Sequence, residues 1–472
     1  MVKLRFRPRR PKTGAVAILV EPGAIPKKFR AAAQAAGFTG SEGETCEVLG
    51  RRHPIILAGL GASPGRLAYE AAGAAATAAS LRHARLSMQL EGVPRKCASA
   101  CLTGALLRAW RYDKLRTVPD EDAPKLQRID AITDDPRLPE IFARWRAAID
   151  GTIFARDLVT EPPNTLTPAS FIEKLVPLRD AGVTVEVLSG PLLRAGGFGG
   201  LLAVGGGSAN KPALVILRWE GSIKAPPVAF VGKGITFDTG GICVKPADKM
   251  WEMKADMAGA AACAGAMLAL AKRKSPAPAM AVLALAENAL SFMAYRPGDV
   301  IKSFSGRCIE VVDTDAEGRL VLMDALAWAA AQKPAAIIDF ATLTGSIVVA
   351  LGHHQAGMFT NNPSLASSVA ASGARAGEPA WHMPIDDSHR RELDSEIADL
   401  RHCSPERMQP DACQAAAFLR EFAGDTPWVH LDIAGVENRE EADARHPAGA
   451  TGFGVRLLDR LMRDRFEDAE AR

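Results

Sequence analysis

Short apolar runs alternate with longer stretches of mixed polarity along most of the chain. AVAILV (15–20) and PIILAGLG (54–61) read as strands, and helical patterns cover Gly65–His83 and Ala98–Asp113. A charged, Pro-punctuated segment, Arg116–Lys125, reads as a linker. The next helical pattern, 140–160, stops at Pro162 and Pro163. Thr167 is then a fitting N-cap, with Pro168 at the first helical position. VTVEVLS (183–189), ALVILRW (213–219) and PVAFVGKG (227–234) read as strands, with a helix at PLLRAGG (191–197). The alternation resumes with the helix Met257–Lys272, the strand AMAVLALAE (279–287), CIEVVD (308–313) and a helix over 320–332. AAIIDFATLTG (335–345) and WVHLDIAG (428–435) follow. This order predicts an α/β protein. A smaller N-terminal α/β domain spans 1–130, with its linker at about 116–140. A larger C-terminal domain, 141–472, holds a mixed sheet flanked by helices.

Composition changes this picture little. A chain of 472 residues, 48% hydrophobic and 24% charged, has room for more than one globular core. Its net charge of +3 neither demands nor excludes an anionic partner. No apolar run reads as long and charge-free enough to span a membrane, and no membrane contact is expected. The start, MVKLRFRPRRPKTGAVAILV, reads as a basic tip followed by a first strand rather than a leader. Eight scattered cysteines, of which only Cys97 and Cys101 lie close in sequence, suit reduced thiols and a cytoplasmic location.

The candidate chemistry centres on VVDTDAEGRLVLMD, 311–324. Here a strand pattern meets a burst of charge, and a helix pattern follows. If the backbone is extended, Asp315 and Glu317 point the same way, and Arg319 can join them. Two carboxylates that close favour a hard divalent cation between them. The plainer alternative is a solvated polar loop. Two more clusters lie at strand ends, where open α/β sheets gather ligands. VGKGITFDTGGICVKP (231–246) offers Lys233, Asp238 and Lys245 among glycines, without the spacing of a phosphate loop. MKADMAG (253–259) offers Asp256, which alone would read as a helix cap. Four acids exceed what one ion needs, whereas two ions roughly 3.5–4 Å apart would use them.

In order and spacing, VGKGITFDTGG, the Lys-Pro at 245–246, DMAGAA, DTDAEGRL, ATLTGSIVVALG and HLDIAG…GATGFGVRLL resemble the leucyl aminopeptidase family, the cytosol aminopeptidases of peptidase family M17. The match covers roughly Ala155 to Arg460. The resemblance implies a metal-dependent exopeptidase, with 141–472 as its catalytic domain, peptide substrates and a homohexamer. It implies two divalent ions per subunit, Mn2+ or Zn2+, with Mg2+ or Co2+ as further candidates. Lys233, Asp238, Asp256, Asp315 and Glu317 would be the ligands, with Asp238 and Glu317 bridging both ions. Lys245 would face the scissile carbonyl, a bridging hydroxide would attack, and Arg319 would hold a bicarbonate that shuttles the proton. Met253, Thr342, Leu343 and Gly345 would line the substrate pocket. Asp313 stands where the family usually has Asn, and an extra acid there could change metal preference. His402 and Cys403 are a second departure. Two rival readings remain: a DNA-binding hexamer, suggested by Lys3, Arg5, Arg7, Arg9 and Arg10, and an inactive structural homologue. The five cations read more simply as a solvated tip, and nucleic acid is not expected.

Overall fold

A computed structural model describes residues 2–50, 53–118, 123–406 and 410–467. The chain forms two compact units, Met1–Ile149 with Arg439–Gly449, and Asp150–Asn438 with Ala450–Arg472. Some of the linker expected over Arg116–Lys125 falls at 119–122, outside the described residues.

The first unit is built on six strands: β1 (Lys3–Arg7), β2 (Ala15–Val20), β3 (Thr45–Leu49), β4 (Pro54–Gly59), β5 (Arg85–Gln89) and β6 (Arg128–Ile132). Their order is β1-β6-β5-β2-β4-β3, parallel except for β3. The basic start is therefore not a tip. KLRFR is an edge strand, with alternating charged and apolar residues and Phe6 against Phe142. Charged edge strands resist unwanted pairing. The helices Arg66–Ala79 and Arg95–Arg108 pack closely, since a Cβ on Gly73 would sit 2.0 Å from the Cys101 carbonyl oxygen.

The second unit holds an eight-stranded mixed sheet and a small three-stranded one. Its strands are β7 (Thr184–Ser189), β8 (Ala213–Trp219), β9 (Val228–Asp238), β10 (Ala279–Asn288), β11 (Val300–Lys302), β12 (Cys308–Glu310), β13 (Ala336–Ala341), β14 (Ala356–Thr360), β15 (Ala380–His382), β16 (Leu400–Arg401) and β17 (Trp428–Asp432). The large sheet runs β15-β14-β17-β13-β9-β10-β8-β7, and its centre, β17-β13-β9-β10, is parallel. β9 is buried along nearly its whole length, so it shows no alternation. Helices cover both faces. On one, Gly232 lets the helix Ala258–Lys272 approach so closely that a Cβ would lie 2.6 Å from the Ala260 Cα. On the other, Val231 and Ile235 join a core with Leu320, Val321 and Met323 of the helix Glu317–Ala331.

Thr167 caps the helix Pro168–Glu173 through a reciprocal pair with Ser170, as its sequence predicts. One apolar stretch departs from expectation. Met250–Lys272 is long and apolar enough to cross a membrane, but 83% of its most apolar window is buried inside the protein. It is a core helix together with the turn before it. CIEVVD is a strand only over Cys308–Glu310, because the chain turns from Val312 onward.

Candidate active site

The parallel centre of the large sheet delivers its strand ends to one place. β9 carries Lys233 and ends at Asp238, β10 ends at Asn288, and β13 leads into Thr342–Gly345. A register shift between Ala286 and Asn288 brings Asn288 opposite Asp238.

Four acids and two lysines interlock there. Lys233 Nζ lies 2.7 Å from Asp256 Oδ1, 2.8 Å from Glu317 Oε1 and 2.8 Å from the Thr342 carbonyl oxygen. Lys245 Nζ lies 2.9 Å from Asp238 Oδ2 and also pairs with Asp315. Lys233 is 3% exposed and Lys245 21%, so Lys245 is the more accessible of the two to solvent. Burial pulls Lys233 down, but Asp256, Glu317 and Asp238 outweigh it and hold the ammonium charged. Burial opposes the charge of Lys245 too, and Asp238, Glu317 and Asp315 outweigh it. The acids are under opposite stress. Burial raises Asp256 well above the ordinary carboxylate range. Burial and then the charge of Asp238 raise Glu317, and push Asp315 up to about 7 against the pull of Lys245.

The cluster is short of positive charge. One ligand atom from each of Asp238, Asp315 and Glu317 lies within 4.8 Å of the others. Asp256 Oδ2 and Glu317 Oε2 are buried without a hydrogen-bond partner. Four carboxylates face two ammonium groups. Acceptor-only oxygens in that arrangement fit a hard divalent cation.

Asp315 and Glu317 converge by a route other than the extended backbone expected for them. The chain turns at Thr314–Asp315, and Glu317 opens the helix Glu317–Ala331, where the dipole favours an acid. Gly318 follows because a Cβ there would lie 2.6 Å from Lys233 Cε. Asp256 is not a helix cap: Met257 precedes Ala258–Lys272, and no side chain caps that helix. Met253 sits one turn earlier, its carbonyl accepting the Asp256 N–H at 3.3 Å. Thr342 Oγ1 donates to Asp256 Oδ1 at 2.7 Å, and the Leu343 N–H donates to Asp432 Oδ1 at 3.1 Å. Gly345 borders open space.

Arg319 turns away from Glu317, since residues two apart on a helix do not share a face. Its guanidinium donates to the His402 carbonyl at 3.1 Å and to Asp411 Oδ1 at 2.7 Å. Burial lowers its basicity, and Asp411 more than restores it.

The cytosol aminopeptidase family, catalytic domain, matches residues 153–459. A probable cytosol aminopeptidase of Gluconobacter oxydans is 46% identical, over 78% of this chain and 75% of that protein. One from Caulobacter vibrioides is 40% identical, over 96% of this chain and 97% of that protein. The chain belongs to the cytosol aminopeptidase family. It is an aminopeptidase, a metal-dependent hydrolase. Solved structures agree. The bottromycin maturation enzyme BotP in complex with Mn superposes with a TM-score of 0.86 at 36% identity, over 95% of this chain and 98% of that one. A tomato leucine aminopeptidase mutant gives 0.86 at 30%, over 98% and 96%.

Several residues that organise this aminopeptidase carry little local signal. Asn288 Nδ2 donates to Asp238 Oδ1 at 2.8 Å and to the Thr314 carbonyl at 3.0 Å. Thr314 Oγ1 donates to the Gly240 carbonyl at 2.6 Å and accepts the Cys243 N–H at 2.8 Å. That stitches the 240–245 loop to the acid turn; Gly240 takes a φ of +85° that few other residues adopt. His402 is buried, with Nε2 2.7 Å from the Asp313 carbonyl oxygen and Nδ1 accepting the Val312 N–H at 3.2 Å. Burial and then Arg319 push it down to about 4, so it is neutral. Asp313 Oδ1 accepts the Asp315 N–H at 2.8 Å, the loop-capping alternative to a metal-directed acid.

Proposed function

We propose that the enzyme removes N-terminal residues, leucine among them, from peptides, using two divalent ions held by Lys233, Asp238, Asp256, Asp315 and Glu317. The carrying observation is the acid cluster, in which Asp256 Oδ2 and Glu317 Oε2 are buried without hydrogen-bond partners and four carboxylates face two ammonium groups. Bound ions would supply a water of lowered pKa and polarise the scissile carbonyl. Mn2+ suits the hard oxygen set, and a neighbour contains Mn. Zn2+, Mg2+ and Co2+ are the competitors.

The chain's residues do the rest. Asp238, paired with Lys245, and Glu317, paired with Lys233, each also act on the charge of the other lysine, and these two would bridge the ions. Lys233 can act as a ligand only by giving up its proton, which two nearby dications would drive. Lys245, more exposed, holds its ammonium on Asp238 and Asp315 and would donate to the carbonyl oxygen as negative charge grows there. Met253, Thr342, Leu343 and Gly345 would line the substrate's first side chain. No step is routed through bicarbonate: both terminal nitrogens of Arg319 are engaged, by the His402 carbonyl and Asp411, and only the buried Nε has no hydrogen-bond partner.

Domain roles follow: we assign catalysis to the second unit, which is the region 141–472 expected from the sequence less residues 141–149 and 439–449, and those two stretches belong with the smaller N-terminal unit. We assign peptides as partners and a homohexamer as the working assembly. The test is hydrolysis of leucine p-nitroanilide by the purified chain. Chelation should abolish it and Mn2+ should restore it. Full activity after the metals are stripped would overturn the reading.

A further inference from the structure

We infer that Asp411 is the anion that Arg319 holds, so this site carries its own carboxylate where the resemblance expects a dissolved bicarbonate. The inference rests on the aminopeptidase reading above. Arg319 is buried, and a buried guanidinium needs an anion close by. Two of its nitrogens are committed, one to the His402 carbonyl at 3.1 Å and one to Asp411 Oδ1 at 2.7 Å. Asp411 is the first residue of the helix Asp411–Ala423, where a carboxylate also meets the favourable end of the helix dipole. The next residue fixes the position: the Ala412 N–H donates to Ser346 Oγ at 2.9 Å, beside Gly345. The start of this helix is thus tied to Ser346, which follows the Thr342–Gly345 segment that would line the substrate pocket, while the Asp411 carboxylate itself meets Arg319. Its side chain is 39% exposed, so its free oxygen faces outward rather than into the core. A second anion at this face of Arg319 would meet a like charge already in place. Asp411 is a positioning residue: it orients Arg319 and fills the place of an exogenous anion.

The experiment uses the full chain loaded with Mn2+, and the probe is 13C-labelled bicarbonate in CO2-stripped buffer. Bound bicarbonate near Mn2+ broadens the 13C line; a Zn2+-loaded sample is the control. The wild type is expected to show no specific broadening, and its turnover of leucine p-nitroanilide should be indifferent to bicarbonate. Asp411→Gly should bind bicarbonate with a dissociation constant on the order of 1 mM. Without bicarbonate its kcat should fall by up to about 10²-fold, as for a misplaced supporting group, and bicarbonate should restore some of the loss. Asp411→Asn keeps the shape without the charge, so it should lose activity and gain no rescue. Saturable broadening and activation in the wild type would overturn the inference. So would an Asp411→Gly enzyme that binds no bicarbonate and keeps full activity. If Asp411→Gly does not fold, the wild-type titration decides alone. A wild type that cleaves no amide sinks the aminopeptidase reading, while the 13C lines still report on the anion site.

Discussion

Each unit buries an aspartate in or at the end of an interior strand of its sheet, and the two are treated differently. In the first unit Asp130 is fully buried in β6, with Arg7 at 2.8 Å and Arg85 at 3.5 Å. One carboxylate has two partly exposed guanidinium groups, so its charge is matched, although its Oδ2 makes no hydrogen bond and only faces Arg85. In the second unit Asp238 shares its surroundings with three further acids and only two ammonium groups. Burying acids in excess costs stability that the fold alone does not recover. A balanced buried charge belongs to the architecture. An unbalanced one marks where a cation is to come.

The sharpest way to break that contrast is Asp238→Ala. In the second unit it should remove more than one equivalent of metal and lower kcat/KM by on the order of 10³-fold or more, beyond the loss of a single oxyanion donor. Metal analysis and leucine p-nitroanilide kinetics read both. Two tightly held ions with near-normal rates would show that the acid excess serves something else.

The next contrast lies within the cluster. Lys245→Ala should lower kcat by about 10²–10³-fold with metal content kept, the behaviour of a group acting on the transition state. Lys233→Ala should lose metal first, since it sits between Asp256 and Glu317. Equal metal loss in both variants would erase the distinction drawn from their exposure.

How much of this was legible in the chain differs between the units in the same way. The acids of the second unit announce themselves as charged residues breaking apolar runs, but only Asp238 ends a strand of the parallel centre; Asp256 closes the turn before the helix Ala258–Lys272, and Asp315 and Glu317 lie after β12 of the small sheet, at the entry to the next helix. The local backbone was not legible: the 313–317 segment turns and enters a helix, which separates Arg319 from Glu317. Nor was the partner of Arg319. Asp411 is 92 residues away, and only the packing of two helices brings them together. In the first unit the clue at Lys3–Arg7 was the period-2 alternation of KLRFR, masked by its charge.

His402 tests the border of the cluster through pH. An unfolded histidine takes a proton near pH 6.5, whereas folded His402 refuses it until about 4. The unfolded state therefore binds more protons within that window, and stability falls as pH drops through it, by up to about 3 kcal/mol. Above pH 6.5 this group contributes no pH dependence. His402→Asn should flatten the acid side of a denaturation-midpoint profile between pH 6.5 and 4. An unchanged slope would mean that His402 is protonated in the fold.

The first unit supplies a smaller effect. Asp130→Asn should cost about 1–3 kcal/mol, because Arg7 and Arg85 are exposed enough to rehydrate once the charge is gone. Its kcat/KM per folded molecule should match the wild type. A selective loss of metal or activity would tie this matched charge to the catalytic unit.

The smallest effect separates an acid beside the cluster from one inside it. Asp313 lies two residues before Asp315, and its Oδ1 accepts the Asp315 N–H at 2.8 Å. An asparagine oxygen can accept the same bond at the same shape. What Asp313→Asn removes is one negative charge, and the side chain that carries it is turned back on its own loop. The chain there is a turn, so the extended geometry that would aim Asp313 alongside Asp315 is missing. Stability should change by less than about 0.5 kcal/mol, as for substitutions that break no buried contact. Titrations of Mn2+ and Zn2+ should overlay those of the wild type within about twofold, a shift of about 0.4 kcal/mol. A tenfold weakening of Mn2+ alone would place the Asp313 charge among those the ions feel. It would also move the boundary between matched and unmatched acids two residues upstream.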